Sequence, residues 1–180
     1  ILREASRQIY VWQQYFGLPL TISTNLSATN FGVANLTEKI LETLKTTGLS
    51  TYHLKLEITE STLMENLESV LTQLRTLRDA GVSLQIDDFG TGYSSLSYLR
   101  NLPVNAIKID RSFIADIKSK DDNTLVNAMM LIAKGLNLRL IAEGVETADQ
   151  RAFLKAHGCD ECQGYFISKP LNSEQVTRML

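Results

Sequence analysis

Seven polar residues carry most of the chemistry this sequence offers: Asn25, Glu57, the adjacent pair Asp87 and Asp88, Lys108, Glu143 and Gln163. Apart from the adjacent pair they fall about 20 to 35 residues apart, the length of one strand-plus-helix unit. The set holds carboxylates, two carboxamides and one lysine, and no cysteine or histidine. Ligands of that kind suit Mg2+ or Mn2+ rather than zinc. Asp87 and Asp88 repel by several kcal/mol at an effective dielectric of ~20 unless they share a proton or a cation. Neighbours on a strand point to opposite faces, so both approach one object only if the strand stops between them. Gly90 and Gly92 are read as that stop. With Asp87 bridging, two cations about 3.5 to 4 Å apart would activate water and steady the leaving oxygen of a phosphate ester. Lys108 would neutralise developing charge or hold the attacking water. Neither His53 nor His157 stands at the end of a strand, which leaves no Ser-His or Cys-His pair for a covalent route.

The stretch VSLQIDDFGTGYSSL from Val82 to Leu96 admits two other readings. Gly90-x-Gly92 between strand and helix is most of a dinucleotide fingerprint, but the third small position is Ser95, and a pyrophosphate there would meet two negative charges. An acidic turn with a helix cap is the plainer alternative. The recurrence of polar residues at successive strand ends weighs against both.

Those residues must be positioned by repeated strand-helix units. Strands are expected at Leu20 to Asn25, Leu54 to Ile58, Val82 to Asp87, Ala106 to Ile109, Leu138 to Glu143 and Glu161 to Phe166. Helical periodicity marks Leu2 to Phe16, Leu36 to Thr47, Asn66 to Ala80, Tyr93 to Asn101, Asn123 to Gly135, Ala148 to His157 and a last segment from Ser173. Such alternation means parallel strands with right-handed crossovers. In LKLEI, Leu54, Leu56 and Ile58 share one face and Lys55 and Glu57 the other, and the remaining strands divide alike. An open sheet covered by helices on both faces wants apolar residues on both. A barrel with a polar interior converging on its C-terminal rim fits better, so the fold class is read as α/β, a TIM-like (βα)8 barrel. Six units are in view. The chain opens on a helix, and the first two strands of such a barrel are missing from it.

The 180 residues are 44% hydrophobic and 21% charged, enough for one well-buried core, and the whole chain, 1-180, is read as one domain. A net charge of -2 and a pI of about 5.7 speak against polymeric nucleic acid as a partner. No apolar run approaches the roughly 20 residues that cross a bilayer, and no secretory leader is recognisable. Cys159 and Cys162 form a lone C-x-x-C without a second pair to complete a zinc site, and are read as ordinary buried thiols in a reducing compartment.

NLS at Asn25, LEITES from Leu56, DDFGTGYSSL from Asp87, KIDRSF from Lys108, AEGVET from Ala142 and CQGYFISKPL from Cys162 resemble, in order, the signatures of EAL domains, the bacterial cyclic di-GMP phosphodiesterases. The resemblance implies metal-dependent cleavage of one phosphodiester of cyclic di-GMP to linear pGpG. It implies that Asn25, Glu57 and Asp87 hold one metal and Asp87, Asp88 and Glu143 the other, the ions being Mg2+ or Mn2+ with Ca2+ inhibitory. Lys108 and Gln163 would position water and phosphate, Asp88 and Glu143 would serve the chemistry directly, and Glu143 is also viewed as the base. Glu60 would tether the loop that holds Gly90, Thr91 and Gly92 and links the site to a homodimer interface, with Glu146 supporting the metal ligands. The family's Glu-Ala-Leu strand, whose Glu is a metal ligand, is absent from this sequence, so residues 1 to 180 alone are expected to be weakly active. A catalytically inactive cyclic di-GMP sensor is the alternative. A cytoplasmic location is implied, with room upstream for a sensory or GGDEF-type domain or an anchor to the inner membrane.

Overall fold

The structure, a computed structural model, describes residues 1-65, 67-92, 99-117 and 123-180. The chain forms two compact units, Ile1-Leu84 with Leu171-Leu180, and Gln85-Pro170.

In the first unit, α1 (Leu2-Phe16) is stopped by Gly17, whose φ of 68° is left-handed and whose N-H returns to the Gln13 carbonyl. β1 (Ile22-Asn25) follows, then α2 (Ala28-Phe31) and α3 (Leu36-Thr47). The sequence gives no periodic signal for so short a helix as α2. It is held by a reciprocal cap, in which the Ser27 N-H and the Asn30 side chain meet at 2.9 Å. β2 (Leu54-Thr59) pairs in parallel with β1, Ile22 opposite Leu54 and Asn25 opposite Glu57. Burial along β2 alternates as the sequence predicts. Leu54, Leu56 and Ile58 are closed off from solvent, each contributing about 1.5 to 3 kcal/mol, while Lys55 and Glu57 are half-buried. α4 (Glu60-Glu65) and α5 (Leu67-Asp79) lead to β3 (Ser83-Phe89), within which the chain passes to the second unit.

There β3 is followed by β4 (Ala106-Ile109), α6 (Arg111-Ala115), α7 (Thr124-Gly135), β5 (Arg139-Ala142), α8 (Ala148-Ala156) and β6 (Glu161-Cys162). β4 pairs in parallel with β3 and β5, and β5 with β6. All four residues of β4 are buried, Lys108 included. Both faces of β4 are therefore covered. Most of the helix expected at Tyr93 to Asn101 falls on 93-98, outside the described residues. The final strand is shorter than expected, because Gln163 bonds to Ala142 O and to Val145 N and the chain then turns at Gly164. The closing helix, α9 (Ser173-Met179), belongs to the first unit, where Thr177 Oγ1 accepts from Trp12 Nε1 at 2.8 Å.

Cys159 and Cys162 are free and half-buried. The Cys159 thiol is hydrogen-bonded to the Glu161 carbonyl at 3.1 Å, and burial, the largest cause, pushes its pKa up to about 11. A thiol so placed is a poor nucleophile at neutral pH. Alkylation of Cys159 in the folded protein, followed site by site by mass spectrometry, is accordingly expected to be slow at pH 8 and to accelerate toward pH 11. Rapid labelling of Cys159 below pH 9 would contradict this.

Candidate active site

The site is built where β3, β4 and β5 end. Lys108 on the middle strand reaches both neighbours: its Nζ lies 3.0 Å from Asp87 Oδ1 and also pairs with Glu143 Oε1. Gln163 Nε2 donates to the same Glu143 oxygen at 2.7 Å. Lys108 is only 2% exposed, so these contacts act where water screens them weakly.

Asp87 and Asp88 converge by a device other than the expected stop. β3 runs on through both to Phe89, and between Ile86, opposite Ile107, and Phe89, opposite Ile109, the register shifts. Two residues, Asp87 and Asp88, thus stand against the single Lys108, which is a β-bulge. Asp88 takes a left-handed φ of 53°, a conformation Asp tolerates better than most residues. The bulge turns the second carboxylate back toward the first. Gly90 and Thr91 then make the turn, with Thr91 Oγ1 donating to Asp88 O at 2.8 Å.

One oxygen from each of Asp87, Asp88 and Glu143 lies within 4.8 Å of the other two. An ion that sits about 2.0 to 2.6 Å from its oxygens accommodates such a trio. The donor set is all oxygen and anionic, so the residues present fit a hard divalent cation. Asp88 holds its proton more tightly than an ordinary carboxyl, because of burial first and then Asp87 and Asp110, with Lys108 pulling the other way. A cation between these groups would relieve that crowding.

Asp110, singled out by no spacing argument, belongs to this neighbourhood. It caps α6, accepting from Ser112 N at 3.0 Å, and the Ser112 hydroxyl lowers its pKa. The signal was available: Asp110 stands two residues after Lys108 and so shares its side of the chain. Gln85, fully buried and also on β3, was likewise passed over.

The other expected site residues divide as follows. Asn25 and Glu57 are register partners at the ends of β1 and β2, Asn25 exposed and Glu57 half-buried. Glu60 is buried at the start of α4. Glu146 is exposed, with its backbone N-H donating to Gln150 Oε1 at 2.8 Å, inside the Thr147 and Gln150 capping box of α8. Gly90, Thr91 and Gly92 are exposed, and the rest of the loop that Glu60 was expected to tether falls on 93-98, outside the described residues.

A family model described as EAL domain matches residues 1-170, and the chain belongs to that family. It is 45% identical over 172 residues to the cyclic di-GMP phosphodiesterase NbdA of Pseudomonas aeruginosa, covering 95% of this chain and 22% of the relative. It is 42% identical over 177 residues to the bifunctional diguanylate cyclase/cyclic di-GMP phosphodiesterase MucR of the same organism, covering 98% and 26%. The chain thus spans about a quarter of the length of these curated relatives. Among solved structures, the MucR phosphodiesterase in complex with cyclic di-GMP superposes with a TM-score of 0.91 at 41% identity, over 97% of this chain and 71% of that one. The manganese/cyclic di-GMP complex of Klebsiella pneumoniae BlrP1 gives 0.83 at 26% identity, over 95% and 43%. These likenesses put the α/β fold in the TIM-barrel class that strand parity predicts.

Proposed function

We propose that residues 1-180 act as an EAL-type phosphodiesterase domain, weakly active when alone, that hydrolyses cyclic di-GMP to linear pGpG. The observation that carries this reading is the convergence of Asp87, Asp88 and Glu143 beside buried Lys108 at adjacent strand ends. In it, Asp87, Asp88 and Glu143 hold a divalent cation, Mg2+ or Mn2+, and Asn25 and Glu57 carry further metal-holding oxygens. Such an ion supplies Lewis acidity to a phosphate oxygen and makes bound water acidic enough to attack at neutral pH.

The protein's own groups do the rest. Lys108 brings positive charge to the edge of the carboxylate cluster, against the charge that builds on the phosphate as it is attacked. Gln163 donates to Glu143 Oε1 and so orients the carboxylate that would accept a proton from water. Asp88, whose pKa is raised by burial first and then by Asp87 and Asp110, stands in the same cluster as Glu143. By the family resemblance Glu60 would tether the loop after Asp88 and Glu146 would support the metal ligands, and Thr91 of the Gly90-Thr91-Gly92 turn donates to the Asp88 carbonyl. The working form is a homodimer on the cytoplasmic side, as the family resemblance implies. Among the described residues no helix is long and apolar enough to cross a membrane.

The test is product formation from cyclic di-GMP, followed by chromatography. Activity is expected with Mn2+ or Mg2+, loss in excess chelator, and inhibition by Ca2+, whose larger and looser coordination spoils the geometry of in-line attack. Full turnover in chelator would overturn the reading. Tight binding of cyclic di-GMP without any pGpG would make the domain a sensor instead.

A further inference from the structure

Two glutamines of the second unit are buried, and they differ sharply in what they do with their amides. Gln150 accepts from Glu146 N at 2.8 Å and Thr147 N at 3.0 Å and donates to Ile114 O at 3.0 Å, so its role is to fasten α8 to α6. Gln85 is 1% exposed, and among the described residues neither its Oε1 nor its Nε2 meets a hydrogen-bonding partner. A buried carboxamide left so costs about 1 to 3 kcal/mol, and buried polar groups in native proteins are nearly always matched, often by an internal water.

The position of Gln85 says what it is matched to. It lies two residues before Asp87 on β3, hence on the same face, one layer beneath it at about 7 Å along the strand. Its register partner on β4 is Ala106, two residues before Lys108, so Gln85 and Ala106 form the layer under Asp87 and Lys108. Above it, Asp87 Oδ1 is closed off from solvent and, although Lys108 Nζ is 3.0 Å away, has no aligned hydrogen bond among the described residues. Three buried polar atoms of this one strand face, both amide atoms of Gln85 and Oδ1 of Asp87, are therefore without a hydrogen bond among the described residues. That is the number of partners an internal water ordinarily takes.

The geometry points to Gln85 as a positioning residue that holds Asp87 from below through one internal water, setting the carboxylate for its metal. This deepens the phosphodiesterase reading and rests on Asp87 being a metal ligand. Outer partners of ligating carboxylates change metal affinity by about 10- to 100-fold when removed.

The experiment is calorimetric titration of the intact protein with Mn2+, without nucleotide, on the unaltered chain, Gln85→Leu and Gln85→Asn, with thermal midpoints measured in chelator. Gln85→Leu replaces the carboxamide by an apolar group of similar size. It is expected to keep or raise the thermal midpoint and to weaken Mn2+ binding about 10-fold or more. Gln85→Asn keeps a carboxamide and should lose less, about two- to ten-fold, which decides the matter if the leucine variant does not fold. Mn2+ affinity within two-fold of the unaltered protein, in whichever variant folds, would overturn the inference, and a fall in stability with affinity unchanged would make Gln85 a packing residue. Absence of Mn2+ binding in the unaltered protein would overturn the metal reading itself, and this inference with it.

Discussion

Replacing Lys108 by Ala is expected to lower turnover of cyclic di-GMP by about 10²- to 10³-fold while weakening nucleotide binding less than about tenfold. The side chain is buried between Asp87 and Glu143, and its charge matters most when a third negative charge grows on the phosphate. The same substitution strips two poorly solvated carboxylates of their counter-charge, which costs about 3 to 5 kcal/mol where no cation replaces it. Its thermal midpoint should therefore fall steeply in chelator and recover in Mn2+. Lys108→Met separates charge from packing, since it keeps most of the stem; it should match Lys108→Ala in turnover. Equal losses in kcat and in affinity would make Lys108 a simple anchor of the ground state.

The second large effect is expected from Gly164→Ala. Gly164 has a φ of 155°, and a methyl group built on it would come 2.2 Å from the Val145 carbonyl oxygen and 2.3 Å from the Val145 nitrogen. Both are backbone atoms and neither can swing aside. Backbone strain of about 1 to 3 kcal/mol and a similar cost for overpacking should together lower the thermal midpoint by about 10 °C in a chain of this size. Because Val145 N is bonded to Gln163 O at 3.0 Å, the displacement would also pull Gln163 from Glu143, so turnover should fall with stability. Gly158→Ala is the control. Its φ of 84° is left-handed but its surroundings are open, and it should cost only about 1 to 2 kcal/mol. Equal losses in the two variants would remove the steric argument.

The order of elements was legible because the period of the apolar residues switches cleanly between two and 3.6, as in Leu54-Leu56-Ile58 and then the helices that follow. The convergence of Asp87, Lys108, Glu143 and Gln163 was legible for the same reason: parallel strands in sequence order put their last residues side by side. What could not be read was local backbone geometry. A left-handed φ at Asp88 leaves no mark on hydrophobic periodicity, so the paired carboxylates were ascribed to a strand stop at the glycines rather than to a bulge. Short helices held by one cap, as α2 is by Ser27 and Asn30, carry too few residues for a period. The shortening of β6 depends on Val145 meeting Gly164 from a distant part of the sequence, which no local pattern encodes. Gln85 was passed over because a single polar residue among Leu84 and Ile86 looks like ordinary alternation.

The bulge at Asp88 also narrows the routes by which such a domain can lose its activity without losing its shape. Only Gly, Asn and Asp rest easily at a φ of 53°, so a side chain lengthened to Glu would be opposed by the backbone before its chemistry was tried. Asn keeps the conformation and removes the charge. The raised pKa of Asp88 means that its ionised form weakens the metal-free fold above that pKa and ceases to do so below the ordinary carboxyl range, so Asn there relieves a standing cost. If the proposed phosphodiesterase reading holds, drift from catalyst to silent receptor would meet little resistance from the fold at this position, and Asp88→Asn is expected to be an inert but intact form with which to trap the bound nucleotide.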